Sequence, residues 1–379
     1  MIERLLRSVV VPLVAIGIAV LAGMLFLYVA GYPVLSTFRA IIQQSFQDWY
    51  GFGQVLHATA LLTFTGLAVA IAFQAGLFNI GVEGQLYMGA MALGIAGYYL
   101  KGVPKETIES IPWIAWMAGL IVISMLAAGA WAAIPGILKA TTGAHEVITT
   151  IMMNFVAFAW INYFVRFDPN SFAVPATVRT PAFPQHLRMP RLSSFIPEFE
   201  GSVVNCSVFL ALAASFAVYA VLRFSKLGFE LRAIGKNPVA ARLAGIVPGR
   251  VTVLTMFLSG AVSGFVGIAF VLGHKGYFEE GFSAGLGFMG IAVALLAHNH
   301  PIGILFTAFL FGVLNYGKVA AAGEIPKDII DVMEAAIIFS VVIVNKVFGN
   351  LLLTLRKRAI ARADSTPVAG NEAASAGIE

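Results

Sequence analysis

Ten apolar runs recur along this 379-residue chain, at about 9–30, 56–74, 85–100, 113–135, 147–165, 205–223, 251–272, 286–297, 302–320 and 329–347. A helix of about 20 residues spans the ~30 Å hydrocarbon core of a bilayer. Lipid offers backbone amides no partner, so each crossing must satisfy its own. The repetition therefore defines an all-α polytopic membrane protein with about ten transmembrane helices. A β-barrel would show alternating segments of about 10 residues, and these runs are continuous. Composition agrees: only 11% of residues are charged and 59% are hydrophobic, where a soluble domain carries about 25% charged. The run at 286–297 is too short to cross alone.

The first run follows Arg4 and Arg7 like a secretory signal, but it exceeds the usual 7–15-residue apolar core and no small-x-small cleavage site follows. It reads as a retained helix. With the N-terminus inside, fourteen of the 24 basic residues fall on cytoplasmic segments. The positive-inside rule then places both termini in the cytoplasm. Cys206 is the single cysteine, which excludes an intramolecular disulfide and a thiolate zinc cluster. The net charge of +5 suits loops facing anionic lipid or a partner protein, and nothing points to nucleic acid.

The organisation is a transmembrane domain over 1–355 and a small, polar cytoplasmic tail over 356–379 whose composition predicts disorder. Within the first lie an external loop at 166–204 and a cytoplasmic loop at 224–250. The external loop holds Pro169, Pro175, Pro181, Pro184, Pro190 and Pro197, which forbid a continuous helix. Phe172, Phe183, Phe195 and Phe199 give it something to bury, so an ordered cap is expected.

The stretch "GLFNIGVEGQLYMGA", Gly76 to Ala90, interrupts the apolar pattern with four glycines, Asn79, Glu83 and Gln85. A mid-membrane carboxylate costs roughly 2.5–3.5 kcal/mol on insertion scales. It must face protein or water, and irregular backbone at that depth carries the same requirement. Two readings follow: Glu83 and Gln85 cap a half-helix and tie down freed amides, or they line a polar solute path. A second glycine-rich, acid-bearing break, "GHKGYFEEGFSAGLGFMGIAVA", follows the seventh run, and "HEVITTIMMNFVAF" and "PKDIIDVMEAAIIF" begin corresponding helices. Because runs two and seven enter from opposite sides, the halves read as inverted repeats with broken helices near the midplane. Such pairs point to a central transport site. Asn154, inside the fifth run, is either a solute contact or an interhelical hydrogen bond.

On the cytoplasmic side, "SKLGFELRAIGKNPVAARLAGI" predicts a short helix. Asn237 is a good N-cap, Pro238 suits the first position and Gly245 stops the chain after two turns. Its alanine-rich face is small for a lipid anchor and suits a groove on another protein. "HEVIT" at 145–149 has Thr149 where a zinc protease needs its second histidine, and "HNH" at 298–300 lacks a third ligand. No phosphate-binding loop of the G-x-x-x-x-G-K-[ST] type occurs.

"GLFNIGVEGQLYMGA", "GAHEVITTIMMNF" and "LRAIGKNPVAARLAGI", in this order, resemble the permease subunits of bacterial ABC importers in the branched-chain amino acid, ribose and simple-sugar group. The likeness covers nearly the full length and is greatest to the nucleoside-uptake branch. The chain departs from that branch at Met289, where an acidic residue is common, and at "HNH", which replaces a basic pair. The resemblance implies a subunit of the bacterial cytoplasmic membrane with no cofactor and no catalysis of its own. It would pair with a second permease as a heterodimer, with two ABC ATPase subunits and with an extracytoplasmic solute-binding protein. It also implies that Asn79, Glu83, Gln85 and Asn154 border the translocation path. Glu230, Arg232, Gly235, Asn237, Pro238, Ala241, Arg242 and Gly245 would couple to the ATPase. The solute expected is a nucleoside, with a simple sugar as the alternative. A secondary transporter would share the repeat but need coupling carboxylates, with Glu83, Asp331 and Glu334 available. It would have no use for a proline-started docking helix. No nucleophile–base pair supports an intramembrane enzyme, and no filter motif supports a channel.

Overall fold

The computed structural model describes residues 11–167 and 171–321, with scattered positions from 326 to 343. These residues form two compact units, one of α1 (Val11–Val29) with the described positions beyond 331, and one of Gly31–Asp331. In the first, Gly23 lies against Met333 and Ile337. The expected tail at 356–379, and Asp331 and Glu334, lie outside the described residues. Among the described residues secondary structure is helical, with two isolated β-bridges and no strand.

The second unit begins with a helix that the apolar runs do not reveal, α2 (Val34–Phe46). It buries Thr37, Phe38 and Ile41 on one face and is too short and polar to read as a span. Asp48 then caps α3 (Trp49–Gln74), its carboxylate accepting the Gly51 N–H at 2.7 Å. After a non-helical segment come α4 (Val82–Leu100), the single-turn α5 (Lys105–Glu109), α6 (Trp113–Thr142) and α7 (Glu146–Asn162), the last closing in a π turn. The proline-rich cap follows, then α8 (Ser207–Phe224), α9 (Lys226–Lys236), α10 (Pro238–Leu243) and α11 (Pro248–Gly267), which continues as a π segment to Lys275. The described part of the unit ends with α12 (Leu286–Leu296) and α13 (Pro301–Ala321).

Among the described residues five helices are long and apolar enough to cross a membrane: α3, α6, α7 with its π turn, α8, and α11 with its π extension. Over their most apolar stretches α3 and α11 are 83% buried, whereas α6, α7 and α8 are only 22–33% buried. The first two therefore form the axis of the unit, and the other three present apolar flanks suited to lipid. α3 starts against the cap, Trp49 beside Phe199, and ends where Gln74 and Gly76 meet Gly235 of α9. α11 starts beside α10 and ends under the cap, where the Met189 N–H donates to the Leu272 carbonyl. The two are antiparallel, as inverted halves require.

The proline-rich cap buries some of its aromatics and exposes others. Phe183 and Phe199 are buried together with Leu187, Leu192 and Val204, and Phe172 packs on Tyr98. Phe195, at the end of the single turn Leu192–Ser194, is exposed. The "HNH" stretch is the turn between α12 and α13: His298 and Asn299 take left-handed φ values of 50° and 56°, and the His300 ring nitrogen faces the Gly303 N–H at 3.3 Å.

α6 and α11 approach closely because small residues face each other: a Cβ on Gly260 would lie 2.4 Å from the Ala132 methyl and 2.5 Å from the Ala128 carbonyl. Membrane helices pack well through such contacts. Gly260→Val should therefore lower the melting temperature of the purified protein, by an overpacking cost of about 1–3 kcal/mol. Gly119→Val, where nothing lies within 4 Å, should melt like the wild type. Equal melting of the two would refute this packing.

Candidate functional site

The chain leaves α3 at Gln74, and residues 75–81 climb back beside it as irregular backbone before α4 begins. Such backbone inside a membrane bundle needs every amide accounted for. The Ala75 and Leu77 N–H groups donate to the Ala72 carbonyl, and the Gly76 N–H to that of Phe73. Asn79 does the rest of the local work. Its Oδ1 accepts the Gly81 N–H at 3.0 Å and the Gln85 amide at 2.9 Å, while its Nδ2 donates to Gln85 Oε1 and to Ser259 Oγ of α11. Ser259 in turn donates to the Ala68 carbonyl of α3 at 2.6 Å. One asparagine thus ties the break to both axial helices.

Both half-helices start with a glycine at the N-cap, Gly81 for α4 and Gly285 for α12. Glycine has no side chain with which to cap, so other helices supply the acceptors. Asn154 of α7 accepts the Gly84 N–H at 2.8 Å and donates to the Ile80 carbonyl at 2.9 Å. Glu83, in the first turn of α4, caps α12: it accepts the Gly287 N–H at 2.6 Å, the Gly285 N–H at 3.2 Å and the Ser283 hydroxyl. A Cβ on Gly287 would come within 2.4 Å of the Glu83 backbone, so only glycine lets the two helix starts touch. From this junction α4 runs to the cap, where Gly97 meets Phe183. α12 runs the other way, and Gln74 donates to the Asn299 carbonyl at its far end.

The structure thus brings Asn79, Glu83, Gln85 and Asn154 into one buried cluster, each no more than 3% exposed. Their polar atoms are used on each other, on the Ser259 and Ser283 hydroxyls and on backbone, with Glu83 bonded to the start of α12 and Asn154 to the start of α4. Ser259, Ser283 and Thr150, whose hydroxyl faces the Ile80 N–H at 3.4 Å, complete the cluster. They are not legible individually, although the "SAGLG" pattern marks the second break.

At the opposite end from the cap, α9 and α10 form a platform. Ser225 caps α9 at the Gly228 N–H, and Asn237 Oδ1 accepts the Val239 and Ala240 N–H groups, both at 3.0 Å. Gly245 ends α10 with φ of 81°. Glu230 lies 3.8 Å from Lys226 one turn earlier, and Arg232 is half-buried. Gly235 abuts the Gln74 carbonyl and Gly76, at the start of the break. Ala241 is buried with Leu222, Leu231, Val251 and Met256 of its own chain. The outward face is instead Val239, Arg242 and Leu243, with Leu243 86% exposed. Ala241 thus lies on the seated side of the helix, whereas Ala240 and Ala244 are exposed. "HEVIT" is an ordinary helix start, with Glu146 held by Lys139 at 2.5 Å.

Antiparallel axial helices, five helices long enough to cross a membrane among the described residues, and two further helices meeting start to start define an all-α polytopic membrane protein. The chain matches the family described as branched-chain amino acid transport system, permease component, over residues 51–344, and belongs to it. It is 34% identical to the guanosine ABC transporter permease protein NupP of Bacillus subtilis, over 90% of this chain and 94% of that one. To the nucleoside ABC transporter permease protein NupB of Lactococcus lactis it is 31% identical, over 97% and 99%. To the glucose ABC transporter permease protein TsgB13 of Haloferax volcanii it is 30% identical, over 86% and 85%. No solved structure matches the chain.

Replacing Glu83 by leucine strands three donors at the start of α12, at about 1–3 kcal/mol each. Glu83→Leu should thus melt far below the wild type in detergent. Glu83→Gln should melt between the two, since the amide carbonyl still takes the Gly287 N–H and its NH2 can donate to the Ser283 hydroxyl, while the Gly285 N–H loses its acceptor. A leucine variant as stable as the wild type would exclude the capping role.

Proposed function

We propose that this chain is a permease subunit of an ATP-driven ABC importer that moves nucleosides into the cytoplasm. The observation that carries the solute class is that a guanosine permease and a nucleoside permease match nine-tenths or more of the chain. A simple sugar is the second reading, favoured by the glucose permease among the relatives. The subunit sits in the bacterial cytoplasmic membrane with both termini inside, the cap outside and α9–α10 in the cytoplasm. It assembles with a second permease, two ATPase subunits and an extracytoplasmic solute-binding protein. ATP is hydrolysed on the partner chains.

On this reading Val239, Arg242 and Leu243 enter a groove on the ATPase. Movement there passes along α9, whose Gly235 presses on Gln74 and Gly76, into the segment that carries Asn79 and leads to Glu83. Asn79, Glu83, Gln85 and Asn154 hold the wall of the translocation path in shape. Glu230, Arg232, Asn237, Pro238, Ala241 and Gly245 hold the docking helix.

The experiment is purification from the native operon, with uptake of labelled guanosine and glucose by cells carrying it. The ATPase and second permease should co-purify, and this subunit alone should hydrolyse no ATP. Leu243→Asp should leave melting unchanged while abolishing uptake and solute-stimulated ATP hydrolysis, because the new carboxylate loses water on docking without gaining a partner. Ala241→Asp should instead lower the melting temperature, since it buries a carboxylate within the chain. Full uptake by Leu243→Asp would remove α10 from the ATPase interface, and ATP hydrolysis by the lone subunit would overturn the permease reading.

A further inference from the structure

Between the cap, the start of α6 and the π segment of α11 lies a cavity of about 620 Å³. That is within the roughly 300–1,000 Å³ of small-molecule sites. Its walls include Trp113, Gln185, Arg188, Arg191, Ser193 and His274. Trp113 and Arg188 are fixed side by side, the indole N–H donating to the Arg188 carbonyl at 3.4 Å. The guanidinium is steered by its Nε, which donates to the Phe183 carbonyl at 3.3 Å, and it lies against Gly276, where any Cβ would come 2.4 Å from Cζ. Among the described residues no carboxylate pairs with Arg188 or Arg191. Lys275 nearby is already matched by Glu279 at 3.4 Å. His274 adds a buried Nδ1 with no hydrogen-bond partner.

The cavity has a floor. His274 packs edge-on against His57 at 5.4 Å and Phe270 at 5.3 Å, Phe270 against Phe282 at 4.5 Å, and Phe282 against Tyr87 at 4.8 Å. The Tyr87 hydroxyl accepts the Ser283 N–H, and Ser283 is bonded to Glu83. One continuous chain of ring contacts thus leads from the cavity wall to the junction of the half-helices.

We propose that this cavity receives the solute on the cap side before it moves past the aromatic chain, and that it selects a flat, acceptor-rich heteroaromatic ring. The inference rests on the nucleoside reading and assigns that solute its first site on this chain. Trp113 offers a face on which any base stacks. Arg188 and Arg191 present guanidinium N–H groups, unmatched by any carboxylate among the described residues, of the kind that pair with the two acceptors on a purine edge. Ser193 and Gln185 can meet sugar hydroxyls. A purely apolar solute would leave these donors dry and unpaired.

The test uses the assembled transporter in lipid nanodiscs without ATP or binding protein, carrying Ser193→Cys in a Cys206→Ser background. Guanosine should slow labelling of the new cysteine by a charged thiol reagent. Trp113→Leu should raise the half-protecting concentration about tenfold, the size expected for a lost base stack. Arg188→Gln should do so by about the same factor, as for a lost purine contact. Trp113→Phe should retain most of the protection. Arg191→Gln, a change at an exposed side chain, should weaken protection without touching the cap's interior. Unchanged labelling at guanosine concentrations that saturate uptake would overturn the proposal. So would equal protection in Trp113→Leu, or protection by inorganic phosphate or ribose as good as that by guanosine. Guanosine uptake by intact cells separates the two readings: uptake without protection removes the cavity alone, and absence of nucleoside uptake removes the transport reading beneath it.

Discussion

The rest of this structure depends on one carboxylate shared between two helix starts. Each half-helix carries a partial positive charge and free N–H groups at its amino end, and these ends meet inside the bundle. Two such ends brought together repel, and their free amides would be costly in an apolar interior. Glu83 answers both problems: it brings two carboxyl oxygens to the junction, and these accept two amides and a hydroxyl from the α12 start. The long carboxylate also reaches across from one half of the chain to the other, about 200 residues away, while its own helix is capped by Asn154. The burial cost of the carboxyl and the burial cost of the amides thus offset each other, which neither could do alone.

That junction explains the glycines around it. Gly287 permits contact with the Glu83 backbone, and Gly290 permits contact with Thr65 of α3, so α12 lies close along the axis despite its 11 residues. A helix that short spans only about 16 Å at 1.5 Å per residue. It gains its stability from packing on α3, α4 and α13 rather than from length. The same small-residue logic seats α11 on α6 and α10 on the ends of the axial helices.

Much of this architecture was legible in the chain, and the parts that were not share a cause. The apolar runs, the break at 75–81, the cap by Asn237 and the stop at Gly245 are local: each is a pattern of neighbours whose physics closes within one or two turns. Glu83 reads from sequence as a capping residue or a path residue, but its partner helix is set by a fold-back that no local pattern encodes. α2 is hidden because its buried face is one stripe of an otherwise polar helix. Ala241 reads as part of a docking face because alanine suits both a seat and a surface; only the packing of Met256 and Leu231 decides that it faces inward. Phe195 illustrates the converse, an aromatic of the cap that is exposed.

The saturation of the buried cluster bears on how a permease of this build would open. Asn79, Gln85, Ser259, Asn154 and Glu83 form a set of contacts in which no member is spare. Moving one therefore strands a partner unless water or solute replaces it, and each such loss in a dry interior costs about 1–3 kcal/mol. Gradual loosening is then unfavourable, and two discrete arrangements, closed with protein partners or open with solvated ones, are favoured over intermediates. The proposed docking platform meets the start of the broken segment, where Gly235 abuts Gln74 and Gly76 and where Leu231 and Ile234 pack with Ala75 and Leu77. A displacement there acts on the free end of the broken segment rather than on the Glu83 junction itself. The junction can then stay intact as a pivot while the segment bearing Asn79 exchanges partners, which places the bistable element in the break and the fixed point at the half-helix starts.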